Sequence, residues 1–291
     1  MKQLFFLIFF IGSLSVFSQE SEPMLLGKIK ESELRKAPYN QWFDKEYNNY
    51  IPDKNTISEL KNINWKGFSI QIFMGTWCSD THRELPRLMK ILDEINFPKD
   101  RIELIAVNTG DNVHKQSPTG EHIGKYIFRV GTFIVSKENK EINRIVEFPV
   151  VSLENDLLTI ASGNDYSPNY RSYPLIIEWI ENGTLTSKNI TYRGLAERLR
   201  YLSRNASEIN SAAFTLCEQG KTKEAAAFCR IALALYPDNA NYYSCAYIFS
   251  KNGEYNDAMQ MIKKYLAKST NENAIESGLE LYEKIKQRKT E

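Results

Sequence analysis

The sequence has few cysteines, glycines and prolines, and almost no net charge. Four cysteines in 291 residues are too few to hold domains of this size together by disulfides. Fourteen glycines and ten prolines exclude a collagen-like or low-complexity chain. Lysine and arginine (37) balance aspartate and glutamate (36), so no overall field attracts nucleic acid or an acidic membrane surface. With 42% hydrophobic residues the composition is that of a globular chain, and its length predicts about two domains.

One long hydrophobic run lies at the N-terminus. Residues 4–11 are all apolar, Lys2 precedes them, and the small residue Ser18 follows a few positions later. This arrangement is typical of a secretory signal peptide, and we expect cleavage after Ser18, with a mature chain that begins at Gln19. The alternative is an uncleaved membrane anchor, but the run is shorter than the ~20 apolar residues that a spanning helix needs. The sequence therefore predicts a periplasmic or secreted protein with no stable membrane span.

The middle of the chain alternates strand and helix signals. Residues 68–74 (FSIQIFM) predict a buried strand, and apolar residues at helical spacing then predict a helix up to Asn96. Ser152 is a suitable N-cap for a last helix. Between these elements the sequence predicts a strand at 102–107, a loop with a short helix over 109–124, and a hairpin of strands at 132–136 and 142–147. The order β-α-β-α-β-β-α predicts an α/β sheet layered with helices.

Helix signals dominate after Gly163, where no further strand is predicted. The polar residues that precede the first strand also favour helices, and they predict an extension packed on the next domain. Five segments follow from these patterns: a signal peptide at 1–18, an N-terminal extension at 19–62, an α/β domain at 63–163, a helical linker at 164–204, and an all-α domain of helical hairpins at 205–291.

The junction between the first strand and its helix reads GTWCSDT over residues 75–81. This Trp-Cys pair, Pro86 eight residues after the cysteine, and the loop before the hairpin together resemble the thioredoxin family over residues 63–162. The resemblance implies a thioredoxin-like fold and a redox site at Cys78. It also implies that a substrate contacts the backbone of the loop formed by Val130, Gly131 and Thr132.

Three departures from the thioredoxin pattern bear on the chemistry. Thr81 stands where a dithiol member of the family has its second cysteine, Gly131 replaces the cis-proline, and Ile72 replaces a buried acidic residue. Without a resolving thiol, a mixed disulfide on Cys78 cannot be cleared within the chain. The sequence therefore favours a weak oxidoreductase that works through one thiol, with a client protein or a low-molecular-weight thiol as its partner.

Cys78 is predicted at a helix N-terminus, where the helix dipole and free backbone N–H groups favour a thiolate. We expect Trp77 to shield the thiol and Thr81 to donate a hydrogen bond to the sulfur, whereas the charge of Asp80 opposes the thiolate. Two other functions stay open. One is a redox-inactive binding platform, and the other is metal capture by Cys78 with His82, one helical turn further on. The preferred function needs no cofactor and no bound metal.

The helical half contains a repeat with a spacing of 33 residues, because Gly220 and Ala225 recur as Gly253 and Ala258. The first copy resembles a tetratricopeptide repeat, and Tyr265 makes the second copy degenerate. The alternative is a generic pair of helical hairpins. Because stacks of this kind bind peptides or proteins, we expect a partner protein here and no nucleic acid.

Three cysteines lie in the same helical half. Cys217 and Cys229 fall on neighbouring predicted helices and Cys245 on the next one. A disulfide between the first two is one expectation, because an exported protein meets an oxidising compartment. Small buried free thiols are the other expectation.

Overall fold

The computed structural model describes residues 23–290, and the expected signal peptide at 1–18 lies outside them. A mixed five-stranded sheet with helices comes first along the chain and a region of helices follows it. The first part contains β1 (Gly27–Ile29), α1 (Glu31–Leu34), α2 (Asn40–Asn49), α3 (Lys54–Lys61), β2 (Phe68–Met74), α4 (Ser79–Glu94), a 3-10 turn (Lys99–Arg101), β3 (Ile102–Ala106), β4 (Thr132–Lys137), β5 (Lys140–Val146) and α5 (Leu153–Ala161).

β2 is the central strand of the sheet, whose order is β1-β3-β2-β4-β5. It runs parallel to β3 and antiparallel to β4, with Ile72 opposite both Leu104 and Phe133. β1 pairs antiparallel with β3, and β5 pairs antiparallel with β4. Apolar residues alternate with Ser69 and Gln71 at the start of β2, and its last three residues are all apolar and buried, which explains the strength of its sequence signal. The strands predicted at 68–74, 102–107, 132–136 and 142–147 are confirmed to within two residues at each end.

Helices cover one face of the sheet and form its larger core. α4 buries Leu85, Leu88 and Leu92 there, against apolar side chains of α2, α3 and α5. Ser152 caps α5 as predicted, because its hydroxyl accepts a hydrogen bond from the Asn155 N–H at 3.3 Å. The opposite face of the sheet packs on Ile127 and Val130 of the long β3–β4 connection.

The structure differs from the expected element order in two places. β1 belongs to the N-terminal extension, which therefore adds a strand to the sheet as well as helices. Its three residues are too few to show a periodic pattern, and pairing with β3 places them. The short helix expected within 109–124 is absent from the structure, which shows turns there. Left-handed backbone angles at Lys115 (φ 58°) and Gly120 (φ 88°) interrupt any helix in this segment.

The C-terminal region is helical throughout its described length. It contains α6 (Tyr173–Glu181), a 3-10 turn (Thr184–Thr186), α7 (Tyr192–Leu199), α8 (Ala206–Glu218), α9 (Thr222–Leu235), α10 (Asn239–Lys251), α11 (Tyr255–Lys268) and α12 (Glu272–Thr290). α8 packs on α9 and α10 packs on α11. The core of this region also takes in Phe128 and Val146 from the sheet part, so the two parts share a buried boundary. Within residues 23–290, no helix combines the length and apolar character that crossing a bilayer requires.

All four cysteines are free thiols. The disulfide considered between Cys217 and Cys229 is not formed, and both residues are buried in the helical core together with Cys245. The Cys245 thiol donates to the carbonyl oxygen of Cys229 at 3.7 Å. Burial of the Cys217 thiol raises its pKa to about 11, and these sulfurs are packing groups in the folded chain.

The turn between β4 and β5 provides a test of the fold. Glu138 and Asn139 both have left-handed backbone angles, φ 50° and 62°, as a two-residue type I′ turn requires. A glutamate in this conformation costs about 1 kcal/mol. Replacing Glu138→Asn together with Asn139→Gly should therefore raise the free energy of unfolding by about 1 kcal/mol in urea titrations. Glu138→Gln is the control, because it removes the charge and keeps the strain; an equal gain from both variants would contradict this explanation.

Candidate functional site

Cys78 lies where the central strand passes into α4. The strand β2 ends at Met74, and Cys78 is the N-cap of the helix, with an extended backbone (φ −99°, ψ 121°). Its N–H donates to the Gly75 carbonyl at 3.0 Å, and its carbonyl accepts the His82 N–H at 3.0 Å. Cys78 is partly exposed, whereas the other three cysteines are buried. The sequence prediction of a cysteine at a helix N-terminus is therefore correct.

The thiol contacts the loop that precedes β4. The Cys78 Sγ–H donates to the Val130 carbonyl at 3.6 Å, which brings together two of the residues that the sequence assigned to the site. The next residue, Gly131, has φ +79°, and its N–H donates to the Phe73 carbonyl at 3.2 Å. Its own carbonyl accepts the Glu147 N–H at 2.7 Å. Glycine is favoured here because the backbone is left-handed.

Trp77, which the sequence assigns to shielding the thiol, is tied to the end of β3. Its indole N–H donates to the Val107 carbonyl at 3.0 Å, which fixes the ring over the end of β3. The ring remains 36% exposed, and its centroid lies 6.1 Å from that of His114. Thr132, the last residue assigned to the site, uses its hydroxyl within the loop before β4, where it donates to the Arg129 carbonyl at 2.7 Å.

Thr81 has a different contact from the expected one. Its hydroxyl oxygen accepts a hydrogen bond from the Gly75 N–H at 3.3 Å, and the residue is fully buried. Among the described residues no hydrogen bond joins Thr81 to Cys78. A side chain in the first turn of a helix leans back toward the helix N-terminus, and here that direction brings the hydroxyl to the strand end. Thr81 therefore ties α4 to β2.

His82 packs against the N-terminal extension. Its Nε2 lies 2.6 Å from the Thr76 carbonyl oxygen, and its ring stacks on Trp42 with centroids 4.3 Å apart. The structure thus pairs the histidine with Trp42 and the backbone. In residues 23–290, no three histidine, cysteine, aspartate or glutamate side chains come together as a metal site would require.

A buried lysine lies close to the thiol, and the sequence did not point to it. Lys115 is 8% exposed, and its ammonium donates to the Phe128 carbonyl at 2.6 Å and to the Ser211 hydroxyl at 2.7 Å. Burial and, to a smaller extent, the nearby charge of Arg129 lower its pKa to about 7, although Glu147 and Cys78 act in the opposite direction. A single lysine in a loop has no periodic pattern around it, so no sequence signal marks it.

Arg129 and Glu147 form an ion pair beside this lysine. The guanidinium lies 3.4 Å from the carboxylate and also donates to the Tyr173 hydroxyl at 3.1 Å and to the Ser207 carbonyl at 2.9 Å. The Tyr170 hydroxyl donates to the other carboxylate oxygen of Glu147. Burial raises the pKa of Glu147, and the charge of Arg129 opposes that shift. Lys115, Arg129 and Glu147 thus lie near the loop whose Val130 carbonyl accepts the thiol proton.

The helical region holds the long β3–β4 connection in place. The Asn112 N–H donates to the Glu218 carboxylate, the Gln116 amide donates to the Glu218 carbonyl at 2.9 Å, and Lys251 donates to the Asn112 side chain at 2.8 Å. Next to these contacts lies a cleft of about 620 Å³, lined by His114 and Lys115 on one side and by α8 and α10 on the other. The β3–β4 connection, whose Val130 carbonyl accepts the Cys78 thiol proton, is therefore held by both parts of the chain.

No family model, curated protein or solved structure matches the chain. The class of protein is consequently defined by the chain's own architecture: a mixed five-stranded α/β sheet with helices, followed by a helical C-terminal region. At the junction of the two lies a partly exposed cysteine at a helix N-terminus.

The lowered pKa of Lys115 predicts a dependence of stability on pH. Between about pH 7 and its ordinary pKa of 10.5, the unfolded chain binds a proton that the folded chain lacks, so the free energy of unfolding rises with pH. Above about pH 9 the raised pKa of Cys217 acts in the opposite direction. We therefore expect a rise of about 1 kcal/mol per pH unit between about pH 7.5 and 8.5 in urea titrations.

Lys115→Met should remove most of that rise. Lys140→Met is the matched control, because Lys140 is an exposed lysine in the β4–β5 hairpin, and it should leave the slope unchanged. A flat profile in the unsubstituted protein, or an equal slope in Lys115→Met, would show that Lys115 keeps an ordinary pKa.

Proposed function

We propose that this chain is an exported, thioredoxin-like protein that exchanges disulfides through a single thiol, Cys78. The observation that carries the proposal is the position of this one sulfur. It is partly exposed, it lies at the N-terminus of α4, and it contacts the Val130 carbonyl at 3.6 Å. A cysteine in that position has free backbone N–H groups and the positive end of the helix dipole beside it, and both favour a thiolate over a thiol.

The exchange reaction takes two steps. The Cys78 thiolate attacks one sulfur of a client or low-molecular-weight disulfide, a new S–S bond forms, and the old one breaks. The electron pair leaves with the second sulfur, which takes a proton from water. Because Cys217, Cys229 and Cys245 are buried in the helical core, no other thiol of the described chain is exposed to clear the adduct. A second external thiol therefore attacks the mixed disulfide and regenerates Cys78.

The loop around Val130 forms one wall of the thiol site. The Val130 N–H has no hydrogen-bond partner among the described residues, and its carbonyl accepts only the thiol proton. Gly131, by contrast, has both backbone groups engaged, with Phe73 and with Glu147. Val130 itself is only 4% exposed, so a client would reach the thiol beside the exposed ring of Trp77, which would cover apolar side chains of the client.

A tetratricopeptide-like arrangement of the helical region is part of the proposal. Gly220 follows α8 and Gly253 follows α10, and each has φ +78°, so the two helix pairs turn in the same way 33 residues apart. The alternative function is a redox-inactive protein-interaction module that uses both parts as binding platforms. The open cleft between the β3–β4 connection and α8–α10 favours that alternative.

The first test is formation of an adduct. The purified protein, incubated with oxidised glutathione, should gain one glutathione as measured by intact mass, and peptide mapping should place it on Cys78. Cys78→Ser should gain none, and Cys217→Ser, which removes a buried thiol, should behave like the unsubstituted protein. If the unsubstituted protein takes up no glutathione, or if Cys78→Ser takes up as much, exchange at this thiol does not occur and the interaction module remains.

The second test restores the missing thiol. Thr81→Cys places a second sulfur three residues after Cys78, within the Cα separation of about 4.4–6.8 Å that a disulfide needs. We expect insulin reduction to be weak or absent in the unsubstituted protein and to rise at least about tenfold in Thr81→Cys, because the mixed disulfide is then cleared within the chain. Thr81→Ser is the control, since it keeps the hydroxyl contact with Gly75 and adds no thiol. Strong activity in the unsubstituted protein would contradict the monothiol mechanism.

A further inference from the structure

The cleft between the β3–β4 connection and the helices α8 and α10 extends toward the thiol. His114, in its wall, has its ring centroid 6.1 Å from that of Trp77, the residue before the reactive cysteine. Lys115, also in the wall, donates to the Phe128 carbonyl at 2.6 Å, and the carbonyl two residues later, that of Val130, accepts the thiol proton at 3.6 Å. Because two residues of chain span at most about 7 Å, the ammonium and the sulfur lie within about 15 Å of each other. That span is comparable with the length of a small peptide.

The cleft has the size and the charge of a site for a small ligand that carries a negative group. Its volume of about 620 Å³ lies within the range of roughly 300–1,000 Å³ that is typical of small-molecule sites. Lys115 and Arg204 line it as cations. The one carboxylate of the lining, that of Asp238, is already used as the N-cap of α10, where it accepts the Asn241 N–H at 2.9 Å. With Lys115 protonated, the lining is therefore net positive.

Polar groups of the cleft have hydrogen-bonding capacity left for a ligand. The ammonium of Lys115 has three protons, and two of them are donated, to a backbone carbonyl and to the Ser211 hydroxyl. At the start of α8 the side chain of the N-cap residue, Asn205, accepts no hydrogen bond from the first turn. Among the described residues the Asn210 Oδ1 is buried and has no hydrogen-bond partner. The cations and the helix N–H groups suit a carboxylate, and the Asn210 oxygen suits an amide N–H.

We propose that this cleft holds the carboxylate-bearing part of a small, peptide-like disulfide while Cys78 attacks its sulfur. The inference rests on the proposed exchange at Cys78 and names its substrate class: low-molecular-weight thiols that carry a carboxylate and an amide. The Cys78 thiolate forms a new S–S bond with the near sulfur, and the old S–S bond breaks. The other half leaves with the electron pair and takes a proton from water, while the half now joined to Cys78 keeps its carboxylate in the cleft.

The arrangement divides the work between the two parts of the chain. The reactive cysteine belongs to the sheet part, whereas Arg204, Asn210 and Ser211 belong to the helical part. Ser211 accepts a hydrogen bond from Lys115 at 2.7 Å and donates its own proton to the Phe128 carbonyl at 2.6 Å, so it joins the wall of the cleft to the loop beside the thiol. The cleft thus serves the exchange reaction itself, and the helical region selects the substrate.

The first measurement is binding without reaction. S-methylglutathione has the carboxylates and amides of a tripeptide thiol but no free sulfhydryl, so it cannot exchange. Calorimetric titration of the reduced protein at about pH 6.5, below the pKa of about 7 of Lys115, should give saturable binding. Lys115→Met should weaken the affinity at least about fivefold and Arg204→Gln about two- to fivefold, because each removes one cation from the lining. Arg200→Gln is the matched control, since Arg200 is an exposed arginine outside the cleft, and it should leave the affinity unchanged.

The second measurement compares two disulfides at the same pH. Oxidised glutathione carries carboxylates and hydroxyethyl disulfide is neutral, and intact mass follows the rate at which each one modifies Cys78. In Lys115→Met the rate with oxidised glutathione should fall at least about fivefold relative to the rate with hydroxyethyl disulfide. Comparison of two disulfides within one variant cancels any general change in the reactivity of the thiol.

Absence of saturable S-methylglutathione binding overturns the inference, and so does an unchanged affinity in Lys115→Met. If Lys115→Met does not fold, Arg204→Gln decides, because it replaces an exposed side chain, and an unchanged affinity there overturns the inference. Binding that depends on Lys115 in a protein whose Cys78 reacts with neither disulfide would keep the carboxylate site and remove the exchange reaction. Reaction with both disulfides at a ratio that no variant changes would keep the exchange reaction and remove the cleft from it.

Discussion

The thiol site depends on one turn that is held between the ends of two strands. Gly131 donates to Phe73 at the end of β2 and accepts from Glu147 at the end of β5, so the loop before β4 cannot move without opening the sheet. That constraint fixes the Val130 carbonyl opposite the Cys78 sulfur. It also brings Glu147 beside Arg129, and the ion pair between them links the loop to the end of β5. The position of the sulfur relative to this loop is thereby fixed by backbone geometry.

The long connection from β3 to β4 explains why the two parts of the chain are joined so closely. It has no regular secondary structure, and its backbone polar groups need partners from elsewhere. The helical region supplies two of them, since Ser211 donates to the Phe128 carbonyl and Glu218 accepts the Asn112 N–H. In return, Phe128 enters the helical core. This irregular segment is held in place because the C-terminal helices hydrogen-bond with its backbone and bury the side chain of Phe128.

Much of the sheet could be predicted from the sequence, and the charged part of the site could not. The strand at 68–74 is rich in β-branched and aromatic residues, and Ser152 has a local capping signal, so both were predicted correctly. Cys78 was identified because the strand-to-helix junction that contains it is formed by consecutive residues of the sequence. Lys115 contacts a serine 96 residues further along the chain, and no local pattern encodes such a pairing. The contact of Thr81 with Gly75 was missed because it depends on which way the first helical turn meets the strand.

The three cysteines of the helical core carry a consequence for the lifetime of the protein. Cys217, Cys229 and Cys245 remain thiols because neighbouring side chains cover them. In oxidising surroundings each opening of α8, α9 and α10 exposes these sulfurs, and a bond formed in the open state would keep the helices from closing again. The rate of opening, rather than the equilibrium between folded and unfolded chain, then sets how long the molecule survives intact.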